Sequence, residues 1–232
     1  RMRPRTLTTP KFLLEVAGRP FAAWLLERLA ACGYDEALVC VAHLGDDVRA
    51  FVGDGARFGL DVRYSDEGPT LLGTGGALRN ALADLAPTFL VTYGDSYLPF
   101  DYAAPLRLLD RVGDADGVMS AYKNDGKWDA SNVAIRSDAH GDAWIARYEK
   151  GATDPALDHI DYGALALRRD VVAALPAGVP SGLDRVQHDL AAHGRMRAIV
   201  ATERFFEIGS EAGLHALDRE LSGSPAPRDT RP

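Results

Sequence analysis

The chain has 232 residues, of which 47% are apolar and 25% are charged, the balance of a globular protein that can bury a sizeable core. This balance excludes a disordered tail, a fibrous repeat and a disulfide scaffold. The 33 acidic residues outnumber the 26 basic ones, so the net charge of −7 leaves no general basic surface for a nucleic acid. Cys32 and Cys40 lack CxxC spacing, which favours reduced, buried thiols. No apolar run approaches the roughly 18 to 20 residues that cross a bilayer and no signal-peptide pattern is visible, so we expect a cytoplasmic protein without a membrane partner.

Hydrophobic spacing in the first half of the chain predicts alternating helices and strands. Apolar residues at helical spacing over 21–31, with Gly33 just beyond, predict an amphipathic helix. The pattern then predicts a buried strand at 37–42, a helix at 46–51, a strand at 60–64, a helix at 74–86 and a strand at 88–92. This alternation is typical of a parallel sheet with helical crossovers.

In the second half of the chain, the predicted helices and strands no longer alternate regularly. After a helix at 101–111 and a strand at 117–122, three strands at 132–136, 144–148 and 159–167 follow with no helix between them, which predicts a mixed or antiparallel extension. Helices at 168–175, 183–193 and 211–221 and a strand at 197–202 complete the chain. We expect one domain over residues 1–221 and a frayed tail over 222–232. Residues 1–10 are polar where such a domain opens with a buried strand, and we favour a first strand upstream of the sequence shown over a fold that lacks it.

Two segments could contact a polyphosphate. Arg1, Arg3, Arg5 and Lys11 gather before the first helix, where cations can neutralise a triphosphate, although a solvated basic segment has the same composition. Residues 72–78 place three glycines at a helix entry, which permits close backbone approach to a ligand and presents N–H donors. A tight turn without a ligand is the alternative.

Three further positions carry charges that suit a metal or a phosphate. Asp95 follows a buried strand and a glycine, so it is either a ligand for a hard cation such as Mg²⁺ or the cap of a turn. Glu207 lies on a short apolar strand, where it is a second metal ligand or an outward-facing edge residue. Glu149 and Lys150 place an acceptor beside a phosphate-seeking cation, or are ordinary surface charge. The six histidines show no metal-ligand spacing, and no nucleophile motif occurs.

In chain order these segments resemble the motifs of the sugar-1-phosphate nucleotidylyltransferases, and among them the heptose-1-phosphate guanylyltransferase-like members. That family opens with a glycine-rich loop ending in G-T-R, then x-P-x-T and P-K, which residues 1–6 and 10–11 reproduce in their second half. Residues 72–78 match the L-G-T-x-G-A-L loop, 94–95 match G-D, 149–150 match the start of E-K-P, and 207–210 match D-I-G-T. Five motifs in one order across about 215 residues are far more specific than any one of them.

The chain also departs from the family pattern. Glu207 replaces an aspartate, Gly151 replaces a proline, and 161–163 read Asp-Tyr-Gly where many members have Asn-Ala-Gly. Asn132 stands where members often carry a glycine beside the sugar. Because a carboxylate cannot donate to a hydroxyl as an asparagine amide can, Asp161 indicates an acceptor other than plain glucose.

The resemblance implies a Rossmann-like α/β fold of the nucleotidyltransferase and glycosyltransferase-A type, with a mixed, mainly parallel sheet flanked by helices. It implies Mg²⁺-dependent transfer of a nucleotidyl group from a nucleoside triphosphate, with GTP favoured, to a heptose or hexose 1-phosphate, releasing pyrophosphate. Uridylyl, thymidylyl or cytidylyl transfer to another sugar phosphate or a phosphonate stays open, as does a non-catalytic nucleotide-sugar sensor. The oligomeric state, including a homo-oligomer, is also left open.

The same resemblance implies roles for individual residues. The charges on the triphosphate and its leaving group are neutralised by Arg1 and Lys11. The nucleotide is bound by Leu72, Gly73, Thr74, Gly75 and Gly76. Mg²⁺ is held by Asp95 and Glu207. The sugar phosphate is bound by Asn132, Glu149, Lys150, Asp161 and Gly163.

Overall fold

A computed structural model of the chain describes residues 5–124, 126–128 and 130–223. Arg1, to which the motifs assign a phosphate contact, lies outside the described residues, and so does the predicted tail from residue 224 onward.

The elements in chain order follow the predicted alternation closely. The α-helices of the described residues are α1 (Phe21–Ala31), α2 (Gly45–Val52), α3 (Gly73–Asn80), α4 (Ala103–Arg111), α5 (Arg169–Ala173), α6 (Leu183–Ala192) and α7 (Glu211–Gly223). The strands are β1 (Glu15–Val16), β2 (Arg19–Pro20), β3 (Glu36–Val41), β4 (Asp61–Asp66), β5 (Thr88–Thr92), β6 (Ser96–Tyr97), β7 (Gly117–Lys123), β8 (Val133–Ser137), β9 (Ala143–Tyr148), β10 (His159–Arg168), β11 (Met196–Ala201) and β12 (Phe206–Glu207).

The main sheet is mixed, and one long strand organises it. Within the described residues its order is β5-β10-β7-β11-β9-β8, and β10 runs antiparallel to both of its neighbours. Strands β5, β7 and β11 therefore share one direction, and β7 pairs with β11 in parallel. Strands β8 and β9 add the predicted antiparallel extension. The expected fold class, an α/β protein with a mixed sheet flanked by helices, is confirmed.

Helices cover the sheet on both faces. Successive side chains of β10 point to opposite faces, and each face packs against a different helix. Leu165 and Leu167 pack in a buried cluster with α6. Tyr162 and Ala164 pack in a second cluster with the apolar side of α7. A third cluster joins α1 and α2 to β4, which pairs in parallel with β3 as a separate two-stranded sheet of the described residues. In those residues no helix is both long and apolar enough to span a bilayer.

Several boundaries differ from the sequence-based prediction. The helix predicted over 74–86 ends at Asn80, whose side-chain amide donates to Ser65 Oγ and to the carbonyl of Asp66, and a short 3₁₀ turn follows. The hairpin of β1 with β2 and the pair of β6 with β12 are two-residue strands, too short to leave a periodic pattern. Helix α7 continues through Gly223, two residues into the segment expected to be tail.

Strand β10 carries a bulge where Asp-Tyr-Gly occurs. Its pairing with β7 shifts register between Asp161 and Leu165, and Gly163 has a φ of +100°, which favours glycine. The fully buried Ser120 on β7 compensates for the lost ladder bonds, because its Oγ donates to the carbonyl of Ala164 at 2.7 Å and accepts from the N–H of Ala164 at 3.1 Å. The bulge is thus held by one side chain.

Removal of this hydroxyl should destabilise the fold. We expect Ser120→Ala to lower the free energy of unfolding by about 2–3 kcal/mol, because two buried backbone groups lose their partner. Urea denaturation of this variant and of Ser137→Ala, at the exposed end of β8, measures the effect. The control should change stability by less than about 0.5 kcal/mol, and an equally small loss for Ser120→Ala would contradict this account of the bulge.

Candidate active site

The two candidate metal ligands lie on segments that are joined by main-chain hydrogen bonds beyond the carboxyl end of β5. Asp95 follows that strand, and the short antiparallel pair of β6 with β12 places Glu207 opposite Ser96. The N–H of Ile208 also donates to the carbonyl of Asp95 at 2.9 Å. Residues more than a hundred positions apart in sequence are therefore joined by main-chain hydrogen bonds, as the motif order requires.

Lys11 lies at the same place. Its Nζ donates to Asp95 Oδ2 at 3.1 Å, and both side chains are partly exposed. The pair opens to solvent, where a charged ligand could contact both groups. Asp95, Glu207 and Lys11 thus form one end of the candidate site, which we call the phosphate end.

The donor set at the phosphate end suits a hard cation. Among the residues that the structure describes, no group of three or more His, Cys, Asp or Glu side chains could hold a metal ion by itself. A carboxylate just before β6 and another on β12 match the way proteins hold Mg²⁺, which usually takes one or two carboxylates and completes its shell with substrate phosphates and water. Asp95 and Glu207 therefore fit a magnesium ion that arrives with a polyphosphate.

The glycine-rich loop is held by the segment that precedes α6. The N–H groups of Gly75 and Gly76 donate to the carbonyl of Ser181 at 2.9 and 3.1 Å. Thr74 Oγ1 accepts from the N–H of Leu183 at 2.9 Å. The two glycine amides expected to contact a base are therefore already bonded within the protein.

The glycines themselves permit this packing. A Cβ on Gly73 would lie 2.8 Å from the carbonyl oxygen of Ser181, and one on Gly75 would lie 2.9 Å from that of Gly182. A Cβ on Gly76 would lie 2.8 Å from Cβ of Leu72. This packing supports the tight-turn alternative, and the ligand-loop alternative stays a prediction.

Three residues predicted to bind the sugar are joined through Asn132. Its side-chain oxygen accepts from the N–H of Asp161 at 2.9 Å, and its carbonyl accepts from the N–H of Glu149 at 2.9 Å. Asn132 therefore connects the start of β8, the end of β9 and the bulge of β10. We call this region, with Lys150 and Gly163, the sugar end.

Glu149 has a strong partner that the motif did not predict. Arg147 makes a bidentate pair with it at 2.8 and 2.7 Å and also contacts Asp154 at 2.6 Å. The Arg147 hydrogen bond lowers the pKa of the Glu149 carboxyl. Glu149 is therefore ionised and its charge largely neutralised before any ligand arrives.

A cleft of about 440 Å³ adjoins the sugar end. Its wall includes Tyr148, Glu149, Lys150, Asp184, Arg185 and His188. Lys150 is well exposed and lies 4.0 Å from Asp184, so its ammonium group is available to an anion. His188 Nδ1 lies 2.9 Å from the carbonyl of Tyr148 and donates to it, which turns Nε2 away from that carbonyl.

Asp161 is a partly buried carboxylate of the site. Its Oδ1 accepts from the N–H of Gly163 at 3.0 Å, and its Oδ2 accepts from Nε2 of Gln187 at 2.6 Å. Burial raises the pKa of this carboxyl, and the hydrogen bond from Gln187 acts in the opposite direction. Sequence reasoning missed Gln187, although a polar residue in the apolar stripe of a helix is a usable signal.

Gly163 joins the two ends of the site. Because Ala164 pairs with Thr92, Gly163 lies just past the end of β5. A Cβ added to Gly163 would lie 3.6 Å from the ring of Tyr93 and 3.8 Å from Cβ of Ser96. Tyr93, to which the motifs assign no role, therefore packs against Gly163 between the phosphate end and the sugar end. Burial raises the pKa of its hydroxyl.

The loop packing leads to a prediction about Gly75. We expect Gly75→Ala to lower the free energy of unfolding by about 1–3 kcal/mol in the absence of nucleotide, because the added methyl group would press on the carbonyl of Gly182. Chemical denaturation of the ligand-free protein checks this. Gly113→Ala is the matched control, since nothing lies within 4 Å of its added Cβ. Unchanged stability for Gly75→Ala would mean that the glycine serves ligand approach alone.

Comparison with known proteins identifies the family of this chain. The family model of the MobA-like NTP transferase domain matches residues 1–204. Over its whole length the chain is 32% identical to a mannose-1-phosphate guanylyltransferase of Mycobacterium tuberculosis, of which it covers 65%. Over 105 residues it is 42% identical to an N-acetylmuramate alpha-1-phosphate uridylyltransferase of Neisseria meningitidis, a match that covers 45% of this chain and 46% of that protein. The chain therefore spans about half to two thirds of the length of these relatives.

A solved structure shares the fold. The crystal structure of HddC from Yersinia pseudotuberculosis complexed with GMP-PN superposes with a TM-score of 0.71 at 21% identity, covering 95% of this chain and 94% of that one. The relatives that match in sequence carry the names of sugar-1-phosphate nucleotidylyltransferases, so the resemblance stated from the motifs is confirmed. The chain belongs to the MobA-like NTP transferase domain family.

Proposed function

We propose that this protein transfers a nucleotidyl group from a nucleoside triphosphate to a sugar 1-phosphate and releases pyrophosphate. The observation that carries the proposal is the assembly of Lys11, Asp95 and Glu207 beside the bulge that bears Asp161 and Gly163. One end of this site suits a polyphosphate and the other a polar acceptor, and Tyr93 lies between them. The protein would meet nucleoside triphosphates in the cytoplasm, which we propose as its location.

The reaction needs positioning and charge neutralisation more than covalent chemistry. A phosphate oxygen of the acceptor attacks the α-phosphorus, the bond from that phosphorus to the bridging oxygen of the β-phosphate breaks, and pyrophosphate leaves with the bonding electrons. Lys11 and Arg1 neutralise charge on the triphosphate and on the leaving group. No protein nucleophile takes part.

The remaining residues hold the two substrates in line. Lys150, exposed at the cleft, binds the phosphate of the acceptor, while Asn132, Glu149, Asp161 and Gly163 contact its sugar. Residues 72–76 contact the nucleotide through groups other than the amides of Gly75 and Gly76. Asp95 and Glu207 would hold Mg²⁺, which when bound neutralises charge on the reacting phosphates.

GTP is the nucleotide we favour, with a heptose or hexose 1-phosphate as acceptor. The relative that aligns with the entire chain is named a guanylyltransferase, and the glycine-rich loop has the form found in guanylyltransferase-like members. Uridylyl transfer is the second candidate, because the relative with 42% identity carries a uridylyltransferase name. A non-catalytic nucleotide-sugar sensor is less favoured, since a binder has no need to keep Lys11, Asp95, Lys150 and Glu207 together.

The activity can be tested directly. Pyrophosphate release by the full-length protein is measured with GTP, UTP, dTTP, CTP and ATP against a panel of sugar 1-phosphates in the presence of Mg²⁺. We expect release that requires one nucleotide together with a sugar phosphate. Absence of release across the panel, in a protein that binds a finished nucleotide sugar, would favour the sensor instead.

Removal of Asp95 tests the phosphate end. We expect Asp95→Ala to lower kcat by about 100- to 1000-fold, the effect of losing one charge-stabilising group at the reacting phosphates. Asp46→Ala is the control, because Asp46 is a fully exposed carboxylate on α2. Thermal melting verifies that both variants fold, and near-normal turnover in Asp95→Ala would remove this residue from the site.

Removal of the metal provides an independent test. We expect EDTA to abolish pyrophosphate release and Mg²⁺ to restore it, because a hard cation held by two carboxylates would neutralise charge on the polyphosphate. The control is the same titration with Asp95→Asn, which should need a higher Mg²⁺ concentration for half-maximal rate. Full activity in EDTA would contradict a metal at this position.

A further inference from the structure

Gln187 connects α6 to the bulge of β10 from inside the protein. It lies on the buried face of the helix, between Val186 and Leu190, and only 1% of it is exposed. Its side-chain amide donates to Oδ2 of Asp161 at 2.6 Å. A buried amide in an apolar stripe is costly unless it is bonded, so this contact needs an explanation.

Asp161 differs from the other carboxylates of the site in its partners. Asp95 has Lys11 at 3.1 Å, and Glu149 has the guanidinium of Arg147 at 2.7 Å. In the part of the chain that the structure covers, no arginine or lysine comes within ion-pair distance of Asp161, which is held by Gln187 and a backbone N–H instead. A partly buried carboxylate whose hydrogen-bond donors are all neutral is less well compensated than one in an ion pair, and such groups gather at functional sites.

The two hydrogen bonds fix the orientation of the carboxylate and still leave it acceptor capacity. Each oxygen of Asp161 receives one bond, from Gly163 or from Gln187, while a carboxylate offers about four acceptor positions. Lys150 and Tyr148, which line the 440 Å³ cleft, both interact electrostatically with Asp161. Asn132 also links Asp161 to the wall of the cleft, because it accepts from the N–H of Asp161 and, through its carbonyl, from the N–H of Glu149, which lines the cleft beside Lys150.

We infer that Gln187 is a positioning residue that holds Asp161 toward the acceptor, and that the site consequently takes sugar 1-phosphates offering a hydrogen-bond donor, a hydroxyl or an amino group, at the ring position facing Asp161. This inference rests on the proposed function and deepens it. An acceptor with fluorine at that position keeps its size but loses the donor. An acceptor with a carboxylate there is repelled by a like charge.

The first experiment uses the wild-type protein and altered acceptors. A series of deoxyfluoro analogues of the best sugar 1-phosphate, each with one hydroxyl replaced by fluorine, is compared by kcat/KM. We expect one ring position at which fluorine lowers kcat/KM by about 10- to 100-fold, because a buried acceptor is left without its partner. A series in which no position costs more than about threefold would overturn the inference.

The second experiment removes the amide of Gln187 while keeping its volume. We expect Gln187→Met to raise the KM for the acceptor by about tenfold, with kcat and the KM for the nucleotide changed by less than about twofold. We call the loss of kcat/KM on replacing a hydroxyl by fluorine the fluorine penalty. At the ring position where the wild-type protein shows a large penalty, the penalty for Gln187→Met should fall to less than about threefold. Asp189→Asn is the matched control on the exposed side of the same helix and should retain the wild-type penalty.

A pH profile separates positioning from a merely structural role. Because the Gln187 hydrogen bond lowers the pKa of Asp161, its loss should move the acid limb of kcat/KM for the acceptor to higher pH in Gln187→Met and not in Asp189→Asn. The groups facing Asp161 are Lys150, Tyr93 and Tyr148, and the two tyrosines stay neutral over this range since burial raises their pKa values.

The outcomes are distinguishable. Gln187→Met with the same acceptor KM, fluorine penalty and acid limb as Asp189→Asn would overturn the inference while leaving the proposed function intact. If Gln187→Met does not fold, as thermal melting would show, Asp161→Asn takes its place and must reduce the same fluorine penalty. Absence of pyrophosphate release by the wild-type protein with every acceptor would overturn the proposed function and this inference together.

Discussion

The bulge in β10 is the constraint on which the site depends. A regular ladder between β10 and β7 would carry Asp161 and Gly163 in the strict alternation of a strand, whereas the observed register shift releases them from it. Ser120 makes the shift tolerable by bonding both backbone groups of Ala164. Gly163 can then lie against Tyr93 near the phosphate end, while Asp161 faces Gln187 at the sugar end. One irregularity in the central strand thus brings together groups that we propose hold two different substrates.

The charged side chains of the site differ in how far neighbouring groups compensate their charges. The chain carries a net charge of −7, yet Lys11 and Lys150 place ammonium groups where the two phosphate-bearing substrates would lie. Local cations thus overcome an overall acidic surface, as expected when screening limits distant charges to about 10 Å. Glu149 is neutralised by Arg147, so its role is to stiffen the end of β9 as much as to contact a sugar. Unlike Asp95 and Glu149, Asp161 accepts its hydrogen bonds from neutral donors, so its charge is more sensitive to what a ligand supplies.

Sequence patterns predicted the elements that carry long periodicity and missed contacts made across the fold. The helix over Phe21–Ala31 and the strand over Thr88–Thr92 fall at their predicted bounds, because each has a clear apolar pattern and a clear end. The backbone amides of Gly75 and Gly76 donate to the carbonyl of Ser181, which lies more than a hundred residues away. The local composition of the glycine-rich loop does not predict this contact. The pairing of β6 with β12, which brings the segments of Asp95 and Glu207 together, could not be predicted from periodicity, since two residues define no period. The site roles taken from the motifs stay predictions.

The Asp-Tyr-Gly segment at 161–163, where the chain departs from the family pattern, is also the bulge of β10. Under the proposed function, we expect specificity for the acceptor to be set at this bulge. Likeness of fold at 21% identity says little about which sugar or nucleotide is used, because one fold serves many substrates. The matching relatives are named for different nucleotides and different acceptors, so the discriminating groups must be side chains that vary around a common frame. Asp161 stands where many members have an asparagine, and it is also a partly buried carboxylate without an ion-pair partner among the described residues. Exchange of an amide for a carboxylate reverses the hydrogen-bonding demand at one position, and the amide of Gln187 on the facing helix holds the carboxylate that results. In the proposed reaction, the pair of Asp161 and Gln187, more than either residue by itself, would therefore distinguish the acceptor site.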